Sequence, residues 1–210
     1  MWSLRFDSEL EPWAIVPEAH EQERREGWAD AVATAVEERW NPGGAVEFSQ
    51  GIDAVLRTLL ERRPAGVLRD LVTWPLPMAW PARVTFLLMR SEGAVDWGDR
   101  GYRSTVYPDS PFGAGVQYTR RTPADEAGNE ESVDSVIVFD RGDVALCVRV
   151  HIMPANMYLL VIGEIADAIS ACSLTDDEGR LFHASGAEHR VPGDDDMWPV
   201  ALSETAAAHD

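Results

Sequence analysis

The sequence predicts an α+β fold in which a mainly antiparallel β-sheet is packed by helices. Two patterns and their order predict it. Polar and apolar residues alternate in several segments, which is typical of half-exposed strands. In other segments apolar residues recur every three or four positions, which is typical of helices that bury one face. The segments follow one another as strand, helix, helix, several strands and helix, with no internal repeat.

The N-terminal third contains two short strands and two helices. Strands are predicted at 3–6 and 13–16, on either side of a proline. A helix is predicted over 18–40 because four large residues recur at every fourth position, and an Asn-Pro-Gly-Gly sequence ends it. A second helix follows Ser49 and ends before Pro64. The apolar faces consist of Trp28, Val32, Val36 and Trp40 in the first helix, and Ile52, Val55, Leu56, Leu59 and Leu60 in the second.

Strands dominate the middle of the chain. Residues 67–73 and 83–90 are predicted strands, whereas the segment 74–81 between them contains three prolines and cannot be regular structure. Residues 102–107 and 115–120 alternate in polarity, and the Gly-Ala-Gly sequence between them is interpreted as a tight connection because no dinucleotide-binding glycine pattern follows.

A β-hairpin and a helix form the best-specified unit. Strands 133–139 and 144–152 flank a four-residue turn that contains glycine. The second strand is predicted to place Val144, Leu146, Val148, Val150 and Ile152 on the core face and Ala145, Cys147, Arg149 and His151 on the other. A helix over 154–172 follows, with an apolar stripe of Tyr158, Ile162, Ile165, Ile169 and Cys172. We predict one domain over 1–175 and an acidic, polar extension over 176–210.

Charge and cysteine content exclude several classes of function. The 210 residues hold 36 acidic and 18 basic residues, a net charge of −18, which disfavours nucleic acids and anionic membranes. Every basic residue is arginine, which excludes Schiff-base lysine chemistry and is typical of a GC-rich bacterial genome. Two isolated cysteines and no signal-peptide pattern at the N-terminus favour the cytoplasm.

The hairpin and last helix also resemble a known family. Val136 to Phe139, the turn, Val144 to Ile152, the helix from Pro154 to Cys172 and Ser173-Leu174-Thr175 resemble the C-terminal half of Mog1/PsbP-like α/β proteins of actinobacteria, including LpqN-type proteins. The opening strand, proline and helix are similar in outline. Residues 41–81 and the acidic tail depart from the family, as does the predicted absence of a signal in a group whose LpqN-type members are exported. The resemblance implies a sandwich fold with a non-catalytic binding or adaptor role, and it transfers no site residues.

No set of residues has the spacing of a known catalytic or metal site. His183, Glu188, His189 and Asp194–Asp196 could offer metal ligands, but their spacing matches no site type and a solvated surface is favoured. Cys147 and His151 lie on one face of a strand, four residues apart, too far for a nucleophile–base pair. We therefore predict no catalytic residue, no metal and no cofactor.

Tryptophan content gives the main functional hypothesis. The chain has eight tryptophans, and Trp74, Met78 and Trp80 lie in the proline-containing segment 74–81. They could form an exposed ledge that binds a partner, or close one end of the core. We predict a non-catalytic adaptor or assembly protein that binds another protein or a second copy of itself. The alternative is a small hydrolase that uses His151 and acidic residues.

Overall fold

The computed structural model describes residues 2–7, 10–18, 20–61, 66–91, 101–124, 126 and 128–185. In this part of the chain the helices are α1 (Gln22–Trp40), α2 (Val46–Glu61) and α3 (Ala155–Ser170). The strands are β1 (Ser3–Phe6), β2 (Ala14–Ile15), β3 (Val67–Thr73), β4 (Ala82–Arg90), β5 (Arg103–Ser110), β6 (Gly113–Thr122), β7 (Ser132–Asp140), β8 (Val144–Pro154) and β9 (Cys172–Thr175). No helix among these residues is long and apolar enough to cross a membrane.

Within the described residues, seven strands form one antiparallel sheet in the order β2-β3-β4-β8-β7-β6-β5. Strands β1 and β9 form a separate antiparallel pair. The predicted hairpin is present as β7 and β8, and β8 also pairs with β4, which places it at the centre of the sheet. The prediction of an α+β fold with a mainly antiparallel sheet is therefore confirmed.

The two faces of the sheet are covered by different helices. Leu71 belongs to a core cluster with residues of α3, whereas the next residue, Val72, packs with residues of α1 and α2. Because successive strand residues point to opposite faces, α3 lies on one face and α1 and α2 lie on the other. The helix pair packs at the β2–β3 end, where Ile52 and Leu56 are almost completely buried.

A β-bulge near the end of β8 changes which residues enter the core. Val150 pairs with Ser135 and Met153 pairs with Val133, so two residues of β8 lie opposite one residue of β7. Beyond the bulge the alternation is shifted: Ile152 is 61% exposed and Met153 is 4% exposed. The prediction that Ile152 belongs to the core face is therefore wrong.

Helix α3 buries a slightly different face from the predicted stripe. Tyr158, Ile165 and Ile169 are buried as expected, but Ile162 is 41% exposed. Val161 is buried instead, so the helix is rotated relative to the predicted stripe and Ile162 lies at the edge of the buried face. The other buried residues of the helix are Met157 and Ala168.

The packed chain continues beyond the predicted boundary at residue 175. The backbone N–H of Phe182 donates to the Leu174 carbonyl at 2.8 Å, and the Phe182 ring is 1% exposed within the main core. The N–H of Ser185 donates to the Asp140 carbonyl at 2.8 Å. A segment placed in the predicted extension thus completes the core, while residues 186–210 lie outside the described residues.

Two glycines explain the tight β5–β6 connection. Gly113 has a φ of 84°, a left-handed conformation that most side chains disfavour. A Cβ atom at Gly115 would lie only 2.7 Å from the ring of Phe139, so the β6 backbone passes closely over a core aromatic side chain. The Gly-Ala-Gly sequence is therefore a structural connection, as predicted.

Candidate functional site

A groove opens where α2, the proline-containing segment and the end of β8 meet. We call it the Trp80 groove, and its volume is about 510 Å³. Side chains from four parts of the fold line it. They are Gly51, Ala54, Val55, Thr58 and Leu59 of α2; Met78, Ala79, Trp80 and Pro81; Arg83 of β4; and His151, Ile152, Met153, Pro154 and Met157 around the end of β8 and the start of α3.

Trp74, Met78 and Trp80, which the sequence analysis assigned to one binding surface, lie in different environments in the structure. Trp80 is 68% exposed and Met78 is half-buried, and both line the groove. Trp74 is only 4% exposed and packs with α1 and α2, and its carbonyl accepts a 2.8 Å hydrogen bond from the Trp40 indole. Trp74 therefore closes the core, which corrects its assignment to the binding surface.

A buried polar cluster lies beside the groove. Arg83 donates from Nε to both carboxylate oxygens of Asp70, at 3.0 and 3.1 Å, and also from Nη2. The Thr85 hydroxyl lies 2.9 Å from the same carboxylate and 2.8 Å from Nε2 of His151. Asp70 and Thr85 are 4% and 3% exposed, whereas His151 is half-buried and reaches the groove. The cluster therefore joins the sheet interior to the groove.

The hydrogen bonds of Thr85 determine which ring nitrogen of His151 carries the proton. The carboxylate of Asp70 can only accept, so the single hydroxyl proton of Thr85 is donated to it. Thr85 then accepts from the Nε2–H of His151, which leaves Nδ1 as an acceptor. Burial, and next the neighbouring Arg83 guanidinium, lower the pKa of His151 to about 4. His151 is therefore neutral at pH 7 and offers a hydrogen-bond acceptor at the groove.

Lowering the pH from 6.5 to 4 is expected to reduce the stability of the fold through His151. The ordinary pKa of histidine is 6.5 and the folded value is about 4, so the unfolded chain takes up this proton first. The contribution of the neutral His151 to the free energy of unfolding is complete above pH 6.5 and is lost as the pH falls towards 4. An NMR titration of the His151 ring should show a midpoint near 4, and His151→Gln should flatten the pH dependence of unfolding in this range. A midpoint near 6.5 would contradict the buried hydrogen bond.

The hydroxyl nearest to His151, that of Thr85, is almost completely buried and donates its proton to Asp70, so it is not placed to act as a nucleophile in the groove. Among the described residues that line the Trp80 groove, only Arg83 and His151 carry titratable side chains. Burial, and next the charge of Asp140, raise the pKa of Cys147 to about 11, which keeps this thiol protonated at pH 7. Arg149 is exposed, and it is Arg83 that pairs with the buried Asp70. The groove can therefore provide a ligand with apolar contacts and with a hydrogen-bond acceptor on the His151 ring.

Neither a metal site nor a disulfide is found in the part of the chain that the structure describes. No group of three or more His, Cys, Asp or Glu residues there could hold a metal ion. His183 is exposed, while Glu188, His189 and Asp194–Asp196 of the metal hypothesis lie outside the described residues. Both Cys147 and Cys172 are free thiols.

No protein-family model, curated protein or solved structure matches this chain. The resemblance to Mog1/PsbP-like proteins therefore stays a prediction. The functional interpretation depends on the groove and on the charge distribution of the chain itself.

Sequence reasoning identified Trp80 and Met78 but not the polar cluster beside them. Arg83 and Asp70 lie on neighbouring strands, and their pairing depends on a register that places Asp70 opposite Thr85. The alternation of β8 did place His151 on the face opposite the core. The one signal in the sequence was Asp70 itself. A carboxylate in a mostly apolar predicted strand needs an oppositely charged or hydrogen-bonding partner when it is buried.

Proposed function

We propose that this chain is a non-catalytic protein-binding protein, with an adaptor or assembly role, and that the Trp80 groove takes an apolar segment of its partner. The observation that carries the proposal is an indole that is 68% exposed at a concave, largely apolar groove of about 510 Å³. Tryptophan is among the residues that most often dominate binding energy, because it buries a large, stiff surface. The partner is a different protein or a second copy of this chain.

The groove is built to change little when it binds. Three prolines restrict the backbone of the segment that carries Trp80 and Met78. The segment also packs tightly on α2, since a Cβ atom at Gly51 would lie only 2.8 Å from Cβ of Ala79. A surface that is already ordered loses less conformational entropy on binding.

The polar groups favour a protein segment over other partners. The neutral His151 accepts a hydrogen bond, and Arg83 is already paired with Asp70, so neither favours a strongly charged ligand. The net charge of −18 disfavours nucleic acid as the partner. The proposal places the protein in the cytoplasm of a bacterium, which the two free thiols and the lysine-free, arginine-only composition support.

Replacing Trp80 by alanine is expected to remove partner binding with little effect on folding. A photo-reactive amino acid at position 80 of the full chain should cross-link one partner in cells of the source organism, and Trp80→Ala should weaken the isolated complex at least about tenfold. Sedimentation equilibrium of both forms tests whether the partner is a second copy.

Leu181→Ala is the matched control, because Leu181 is also 68% exposed but does not line the groove. It should leave binding unchanged. The proposal is wrong if position 80 cross-links nothing and the chain is monomeric, or if Leu181→Ala weakens the complex as much as Trp80→Ala.

A further inference from the structure

A second cleft lies between α3 and the outer strands β5 and β6. We call it the Arg103 cleft, and its volume is about 290 Å³. In the part of the chain that the structure describes, it shares no lining residue with the Trp80 groove. The lining comes from the two strands, the start of β7 and α3, and it includes Arg103, Gln117, Thr119, Tyr158, Leu159 and Ile162.

One wall of the cleft is apolar and open to solvent. Leu159 is 56% exposed and Ile162 is 41% exposed, although Val161 and Ile165 of the same helix are buried. Helix α3 packs mainly against β4, β8 and β7, and Leu159 and Ile162 face the cleft on its side towards β5 and β6. Two adjacent aliphatic side chains on this side offer an apolar surface to a small ligand.

The floor of the cleft is polar and internally hydrogen-bonded. Gln117 Nε2 lies 3.0 Å from the Tyr158 hydroxyl and 3.1 Å from the Ser135 hydroxyl, which in turn lies 3.1 Å from the Thr119 hydroxyl. Tyr158, Thr119 and Ser135 are buried, so the network is fixed by its surroundings. A rigid floor of this kind sets the depth to which an apolar ligand can enter.

The rim of the cleft is cationic. Arg121 forms an ion pair with Glu131. Arg103 is exposed, and among the described residues it has no ion-pair partner. In a chain with twice as many acidic as basic residues, an arginine without an acidic partner beside an apolar wall offers its charge to a ligand. Guanidinium groups bind carboxylates through paired hydrogen bonds.

We propose that the Arg103 cleft binds a small carboxylate with a short apolar body. The carboxylate contacts Arg103, and the body lies along Leu159 and Ile162 above the polar floor. A volume of about 290 Å³ is at the lower end for ligand pockets, which fits a molecule of this size rather than a helix or a strand of a partner. The site is independent of protein binding at the Trp80 groove.

Straight-chain carboxylates test the proposal on the full chain. Butanoate, hexanoate, octanoate and decanoate are titrated by calorimetry below their micelle-forming concentrations. Each methylene that enters the cleft should tighten binding by up to about fourfold, and the gain should stop once the cleft is full. Octanol, which lacks the charge, should bind at least about tenfold more weakly than octanoate.

Two variants locate the site. Arg103→Gln should weaken octanoate binding at least about tenfold and leave octanol binding unchanged, whereas Arg57→Gln, at an exposed position of α2, should change neither. Ile162→Asp, which places a like charge in the wall, should abolish octanoate binding. The proposal is overturned if octanoate does not bind saturably, if octanol binds equally well, or if Arg103→Gln has no effect. It is equally overturned if the apolar wall is a dimer interface. In that case the chain forms a dimer that Ile162→Asp dissociates and that octanoate does not affect.

Discussion

Ile165→Ala is expected to lower the free energy of unfolding by about 2–5 kcal/mol, the usual cost of a large-to-small change in a core. Ile165 is 3% exposed and lies on the face of α3 that packs against the sheet. The loss combines the apolar surface that is no longer buried with the cavity that the substitution leaves. Urea unfolding at pH 7 measures it directly.

Ile162→Ala provides a control on the same helix. Both substitutions replace isoleucine by alanine, so the change in helix propensity is the same and the difference between them reports burial. Ile162 is 41% exposed, and its replacement should cost less than about 1 kcal/mol. Equal losses at the two positions would contradict the observed rotation of the helix.

The fold class was predictable because local patterns and tertiary structure agree over most of the chain. The β7–β8 hairpin follows from strict alternation around a glycine-containing turn, and Gly142 there has a φ of 106°, which favours glycine. The apolar faces of α1 and α2 pack on the sheet as their spacing indicates. Each of these elements buries one face, and the spacing of apolar residues in the sequence indicates which face that is.

The errors arise where packing overrides periodicity. A bulge inserts one residue into β8 after Val150, and no local pattern of side chains marks that position. Ile152 is therefore exposed and Met153 buried, the reverse of the alternation. Phe182 lies in a polar stretch of sequence, yet its ring is 1% exposed and packs against the rings of Trp2 and Phe112.

The candidate site was predictable only in part, for a similar reason. Trp74 and Trp80 lie six residues apart in one irregular segment, and composition alone assigns both the same role. Their different exposure depends on where the chain leaves β3, since Trp74 directly follows that strand and continues onto the face covered by α1 and α2. The cluster of Asp70, Arg83, Thr85 and His151 requires the register of three strands, which no short-range signal in the sequence supplies.

Arg83→Ala is expected to be the most destabilising substitution near the groove, with a loss of about 3–5 kcal/mol in the free energy of unfolding. Asp70 is 4% exposed, and Arg83 supplies its opposite charge and contacts both carboxylate oxygens. Without the guanidinium, the Thr85 hydroxyl is the one side-chain donor that the described residues leave to the carboxylate. A buried charge left without its counter-ion costs far more than the net worth of the pair.

Two comparisons separate this effect from the loss of an ordinary surface pair. Arg24→Ala removes an ion pair with Glu21, but these two side chains are 66% and 25% exposed, and the loss should stay below about 1 kcal/mol. The double variant with Asp70→Ala and Arg83→Ala should be less destabilised than the sum of the single variants, because removing the carboxylate also removes the unpaired buried charge. If the losses in the double variant simply add, Asp70 and Arg83 do not stabilise one another, and the coupled buried pair is disproved.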